Sequence, residues 1–249
     1  METLKKNMGH PYHLVKLSPW PICLSFSLFL FFISVIYMFK YKNNMFMYIS
    51  ISLTGILLYC WFKDILKESC EGFHSKKVKM GFKFGMFLFI ISEFFFFISI
   101  FWGYFHVYLT PEIDLGIVFD KIKGIDLMKK FPLSLINTTL LLTSGFLAHY
   151  SYDKLKEKEF NESKYALLVS FLLGMLFSMI QLYEYYESSF TITDSVYGSL
   201  FYFITGFHGL HVLVGSMYLF VNWYTYDYCK IYYGGEIGLY LALWYWHFV

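Results

Sequence analysis

Charge is what this chain has least of. Charged residues make up 15% of its 249 positions against 57% apolar ones, and mean hydropathy is +0.50. So little polar surface excludes a soluble protein and implies an integral membrane protein. Arginine is absent, all 20 basic residues being lysine, and the N-terminus lacks the Arg- and Ser-rich amphipathic pattern of a transit peptide. No short cleavable signal precedes the first apolar run, so insertion from the compartment of synthesis is expected. Alanine occurs only at Ala148, Ala166 and Ala242, whereas Phe (30) and Tyr (23) abound. That bias points to an AT-rich genome, such as an organelle's, and is no folding requirement. Cys23, Cys60, Cys70 and Cys229 form no CxxC pair and read as small membrane or loop residues. Phosphate-cradling glycine loops, a nucleophile elbow and zinc spacings are missing, and nothing resembles a nucleic-acid surface.

What the chain does have is apolar runs. Separated by charged stretches, they predict helices near 20–39, 45–62, 80–109, 132–152, 164–187 and 197–223. A seventh run from 235 to 249 is short. At about 1.5 Å per residue it reaches roughly 22 Å, less than the hydrocarbon core of about 30 Å. The expected architecture is an all-α membrane bundle of seven helices in one domain over 1–249, the seventh cut short. Fourteen of the 20 lysines flank the N-terminus and the loops after helices two, four and six, and six lie on the other side. The positive-inside rule then puts the N-terminus in the matrix or cytoplasm. Asp153 to Lys164 reads as a solvated connection, and Pro111 to Pro132 as the longest external loop. Gly81 and Gly85 make a GxxxG pair suited to close helix approach.

Glu93 stands near the middle of the run from Gly81 to Leu109. A carboxylate at that depth costs about 2.5–3.5 kcal/mol on insertion scales, so it must be protonated, paired or turned toward protein. Steps of 100° put Met86, Ile90, Phe97, Ile100 and Tyr104 on its stripe, and no lysine lies there within the apolar core. A partner must come from another helix or another chain, or the acid stays neutral. Two readings stand: a proton-related or partner-facing carboxylate, and a structural acid hydrogen-bonded between helices.

His208 and His211 lie about 60° apart on one helix. Metal or haem ligation competes there with interhelical hydrogen bonding or a polar link to another subunit. His10 and His13, before Pro19-Trp20-Pro21, read as an interfacial anchor. The segment from Trp61 to His74, with Lys63, Lys67 and Glu68, suits phospholipid head groups or ordinary snorkelling side chains.

Taken as an ordered set, the motifs are specific. His10-Pro-Tyr-His-Leu-Val15 with Ser18-Pro-Trp-Pro21, Phe89-Ile-Ile-Ser-Glu-Phe-Phe-Phe-Phe97 with Phe101-Trp102, and Leu135-Ile-Asn-Thr-Thr139 come first. Tyr183-Glu-Tyr-Tyr-Glu-Ser188, Phe190-Thr-Ile-Thr-Asp194, Thr205-Gly-Phe-His-Gly-Leu-His-Val212 and Trp244-Tyr-Trp-His-Phe-Val249 follow. The chain resembles cytochrome c oxidase subunit III over nearly its whole length.

That resemblance implies two helices splayed from the other five, with lipid between, and an N-terminus on the matrix side of the mitochondrial inner membrane. It implies no haem, copper or other metal on this chain, those centres belonging to partner subunits I and II, with accessory subunits and structural phospholipids around them. The implied function is support of electron transfer from cytochrome c to oxygen and of proton translocation, without a catalytic residue here. Glu93 matches the family's intramembrane carboxylate; Trp61, Lys67, Glu68 and His74 fall in its lipid-binding segment; His208, His211 and His247 take structural polar roles. Lys67 stands where arginine is usual, which weakens a bidentate phosphate contact, and Lys16 where an acidic or amide residue is common. The family's seventh helix continues past Val249, so its remainder is expected either on a separate polypeptide or outside the given sequence. The rival from a different class is a free-standing transporter with Glu93 as its proton site, and a second is a haem-binding cytochrome using His208 or His211.

Overall fold

Seven helices are present among the residues that the computed structural model describes, 12–14, 16–110, 131–227 and 236–249. They are α1 (Trp20–Tyr41), α2 (Met45–Cys70), α3 (Lys76–Leu109), α4 (Phe131–Lys156), α5 (Phe160–Tyr186), α6 (Val196–Tyr224) and α7 (Glu236–Phe248). Of the expected loop from Pro111 to Pro132, 111–130 lie outside the described residues, as do His10, Val15 and Cys229, while Pro132 already belongs to α4. Of the seven helices, α1, α2, α3, α5 and α6 are long and apolar enough to cross a membrane.

Two helices depart from the expectation for physical reasons. α2 runs to Cys70 rather than 62, because Lys63, Asp64, Lys67 and Glu68 end the apolar run without opposing a helix. α4 forms where a span was expected but is the more polar for Asn137, Thr138, Thr139, Thr143 and Ser144. Its hydroxyls bond carbonyls of their own helix, Thr138 to Ser134, Thr139 to Ile136 and Thr143 to Leu140, at 2.7–2.9 Å. Asp153 to Lys164 is largely exposed but mostly helix: only Glu157 to Glu159 lie between α4 and α5.

The helix ends follow local chemistry. α1 stops at Lys42, which takes φ 53° and donates its N–H to the Met38 carbonyl at 2.8 Å. Past α2, Gly72 adopts φ 83°, a left-handed angle that glycine takes without steric cost. Its N–H bonds the Ser69 carbonyl and that of Phe73 the Glu68 carbonyl, each at 3.2 Å, the paired closure of a Schellman motif. α4 closes the same way through Lys158 and Glu159, but with a lysine at φ 67° in the left-handed position. Ser75 and Ser195 cap α3 and α6 by accepting from the Val78 and Gly198 amides.

The chain forms two compact units. The first contains α1, α2 and the opening of α3, up to Met80. Here α1 and α2 form an antiparallel hairpin with a seam of small residues, where Ser34 Oγ and Ser50 Oγ meet at 2.9 Å and Ser27 is buried. Small side chains let the two backbones approach. Tyr37 packs edge-on against Phe46, 5.0 Å between ring centres. Most large apolar side chains of the hairpin point outward, as in a surface made for lipid or protein rather than water.

The second unit contains α3 from Gly81 and the helices α4 to α7. α5 packs on α4 and α6, and α7 on both α4 and α6. α7 is the most enclosed element: Leu239, Leu241, Ala242, Leu243, Tyr245 and Trp246 are all buried. Trp246 lies against two glycines, where an added Cβ at Gly174 would meet its Cη2 at 2.8 Å and one at Gly215 its Cε3 at 2.6 Å. Its indole N–H donates to Ser144 Oγ at 3.1 Å, and Ser170 donates to the Ser144 carbonyl at 2.7 Å. Two turns along, Ser151 and Ser163 donate to each other's carbonyls at 2.8 and 2.7 Å. Within this unit an added Cβ at Gly81 or Gly85 meets nothing within 4 Å, so the GxxxG pair makes no close helix approach there.

Candidate functional site

Glu93 finds its partner on another helix. Its Oε2 lies 2.9 Å from Nε2 of His211, 118 positions away on α6. Nδ1 of the same imidazole sits 2.6 Å from the Phe207 carbonyl oxygen. A carbonyl only accepts, so Nδ1 carries hydrogen, and Nε2 of the neutral ring is then a bare acceptor. A carboxylate facing that lone pair would be repelled. One proton must therefore lie between the two residues, on the acid or on the ring, and the pair has no net charge either way.

Its surroundings suit that arrangement. His211 is 7% exposed. Phe97 meets the ring edge-on at 5.3 Å, and Tyr245 of α7 stacks on it at 6.3 Å. Phe89, one turn before Glu93, stacks on Tyr245 in turn. Aromatic walls exclude water and strengthen the hydrogen bond they surround. The acid is thus joined between helices, while part of its side chain, 23%, stays open on the isolated chain.

The other histidines do not join it. His208 Nε2 lies 3.3 Å from the Val249 carbonyl, its ring edge-on to Phe177. His247 lies 5.7 Å from His149 between ring centres. The aligned pair His208 and His211 thus turns to separate partners, and among the described residues neither belongs to a group of three metal-competent side chains.

A second polar cluster lies in the first unit, where α2 ends. Trp20 donates its indole N–H to Asp64 at 2.5 Å. His13 Nε2 stands 3.8 Å from Glu68 Oε2, and its ring is 5.4 Å from that of His74. Lys16 pairs with Glu71 at 3.9 Å. Burial, with His13 and Lys79 nearby, pushes His74 down to about 4, so its imidazole is neutral at physiological pH. Of the four expected lipid-segment residues, Glu68 and His74 come together; Trp61 is half-buried and Lys67 exposed on α2. Sequence reasoning missed Trp20 and Asp64 and separated His13 from Glu68. The signal available was the complementarity of a polar N-terminal segment and a polar helix end on the same side of the hairpin.

With both clusters in place, comparison with known proteins decides the family. The model of the family described as cytochrome c oxidase subunit III matches residues 10–249. The chain belongs to the cytochrome c oxidase subunit III family. Curated relatives agree. Cytochrome c oxidase subunit 3 of Aedes aegypti is 40% identical over 248 residues, covering 99% of this chain and 94% of the relative. The Artemia franciscana protein is 40% identical, covering 97% and 93%, and that of Rhipicephalus sanguineus 41%, covering 97% and 94%. The match runs through both compact units, so Glu93–His211 and the α2-end cluster both lie within the stretch that the family model matches.

Proposed function

We propose that this chain is a core subunit III of a respiratory cytochrome c oxidase in the mitochondrial inner membrane. It packs on subunit I, binds phospholipid and supports proton-coupled electron transfer from cytochrome c to oxygen, whose haem and copper centres lie in subunits I and II. Its N-terminus faces the matrix, on the side of the fourteen lysines. The observation that carries this reading is the family match over residues 10–249. Glu93 supports it, because a carboxyl tied to His211 between aromatic walls is built to hold a proton and join helices.

The lipid reading rests on the α2 end. Lys67 supplies an exposed ammonium, Trp61 an amphipathic ring, and Glu68 and His74 a hydrogen-bonding edge, a donor set that fits a zwitterionic or anionic head group. Lacking a guanidinium, Lys67 attracts phosphate as a point charge.

The test is the set of chains that co-purify after mild extraction, with the visible spectrum of that assembly. A haem-bearing partner is expected, with haem bands unchanged in Glu93→Gln. Transport activity of the chain alone in vesicles, or a haem band on the isolated chain, refutes the reading.

A further inference from the structure

The contacts between α1 and α2 recur along the hairpin. Ser34 faces Ser50 at 2.9 Å, and fourteen residues back along α1 and fourteen on along α2, Trp20 faces Asp64. Fourteen residues are two heptads, the interval after which two packed helices present the same faces to each other. Tyr37 meets Phe46 on the flank of this seam, 5.0 Å between ring centres. The same step along each helix leads from that contact to Cys23 and Cys60. Where one end of the hairpin places two rings, the other places two thiols. We propose that Cys23 and Cys60 form a redox-modification site, a dithiol that hydrogen peroxide converts to a disulfide joining α1 to α2.

The packing of the hairpin allows that bond. Ser27 and Ser34 of α1 and Ser50 of α2 are buried in the seam, and such small side chains let helix axes approach to about 8 Å. With Cα atoms about 2.3 Å from each axis, facing positions on one flank stand about 5 Å apart, within the roughly 4.4–6.8 Å that a disulfide spans. Both thiols are free and only partly buried. They lie about one turn from Trp20 and Asp64, near the polar end of the hairpin, where a small polar oxidant reaches them.

The chemistry balances with the peroxide as oxidant. One thiolate attacks the O–O bond, an S–O bond forms, and the departing hydroxide takes up the thiol's proton as water. The second thiol attacks that sulfur: an S–S bond forms, the S–O bond breaks, and a second water leaves. Two thiols lose two electrons and two protons, and the peroxide is reduced to two waters. A dithiol reductant reverses the step by exchange. The product closes a ring through the turn between Lys42 and Asn44, so α1 and α2 are tied at both ends and neither splay nor slide until the bond is reduced.

Full-length chain, reduced, purified in detergent and exposed to hydrogen peroxide, is alkylated, digested and read by mass spectrometry. The expected product is a Cys23 peptide linked to a Cys60 peptide, lighter by two hydrogens than their sum and separated by dithiothreitol. Cys70→Ser and Cys229→Ser should leave the link in place, whereas Cys23→Ser and Cys60→Ser should abolish it. Moving one thiol to the outward face of α2, in Cys60→Ser/Tyr59→Cys, should abolish it too, because Tyr59 is 64% exposed and thiols whose Cβ vectors point apart cannot be bridged. The wild-type digest decides even if a variant misfolds. Thiols still free after peroxide, links only between different molecules, or sulfinic acid at both cysteines without a link overturns the proposal. So does equal cross-linking by the variant carrying Tyr59→Cys.

Discussion

Replacing each member of the Glu93–His211 pair, singly and together, tests the proton argument directly. Nε2 of His211 is an acceptor when the ring is neutral, because Nδ1 is committed to the Phe207 carbonyl at 2.6 Å. Glu93→Gln should therefore be mild, since its amide can donate to Nε2 across the same 2.9 Å. Glu93→Leu should cost more, leaving Nε2 buried without a donor; unpaired buried polar groups cost about 1–3 kcal/mol. His211→Phe keeps the ring that Phe97 and Tyr245 pack against but leaves the acid alone. Interhelical hydrogen bonds in membranes average about 0.6 kcal/mol and reach about 1.7, and shared charge and aromatic enclosure put this pair toward the upper end. The double variant Glu93→Leu/His211→Phe should thus recover about 1–2 kcal/mol of the summed single losses. Thermal unfolding of the purified chain in detergent, followed by circular dichroism, supplies the four values. A coupling of zero refutes the shared proton, and so does a Gln variant as damaging as Leu.

Three further outcomes are expected. Gly215→Ala should destabilise by about 1–3 kcal/mol, because its Cβ would fall 2.6 Å from Trp246 Cε3; detergent melting curves measure the loss, and Trp246→Leu in the same background should relieve part of it. Lys158→Gly should raise stability by about 0.5–1 kcal/mol, since it removes a side chain from a backbone at φ 67°; the same melt reports it, and a fall would mean that the lysine side chain matters more than its backbone. Stability should also drop as pH is lowered from 6.5 toward 4. His74 is held down to about 4 in the fold and protonates near 6.5 when unfolded, so the unfolded chain gains the proton first. The contribution is complete above 6.5 and lost through that window, and melting across pH should flatten there in His74→Gln.

The helices were legible because hydropathy is additive along the chain. Each of the seven appeared within a few residues of its expected place, save where the measure ends at the bilayer edge but the helix does not. α2 continues through Lys63 and Glu68, and α3 begins at Lys76 rather than 80. Glu93 was legible as an anomaly, since a lone carboxyl among phenylalanines has few explanations. Its partner was not: His211 was singled out for its spacing from His208, yet the structure gives each a different partner. Identical spacing on one helix says nothing of what the neighbouring helices present. The α2-end cluster was half legible, as Glu68 and His74 shared a polar segment while His13, Trp20 and Asp64 needed the hairpin to close before they met.

Composition and order along the chain alone therefore determined the solvent this protein lives in, its helices and its family, because each is a property of local runs and short motifs. Tertiary structure decided how the polar groups are satisfied: which imidazole shares a proton with Glu93, which indole lies between two glycines, and which histidines face one carboxylate. Those outcomes depend on the rotation and depth of helices relative to one another within each unit. They are set by the packing of many side chains at once, and no single segment encodes them.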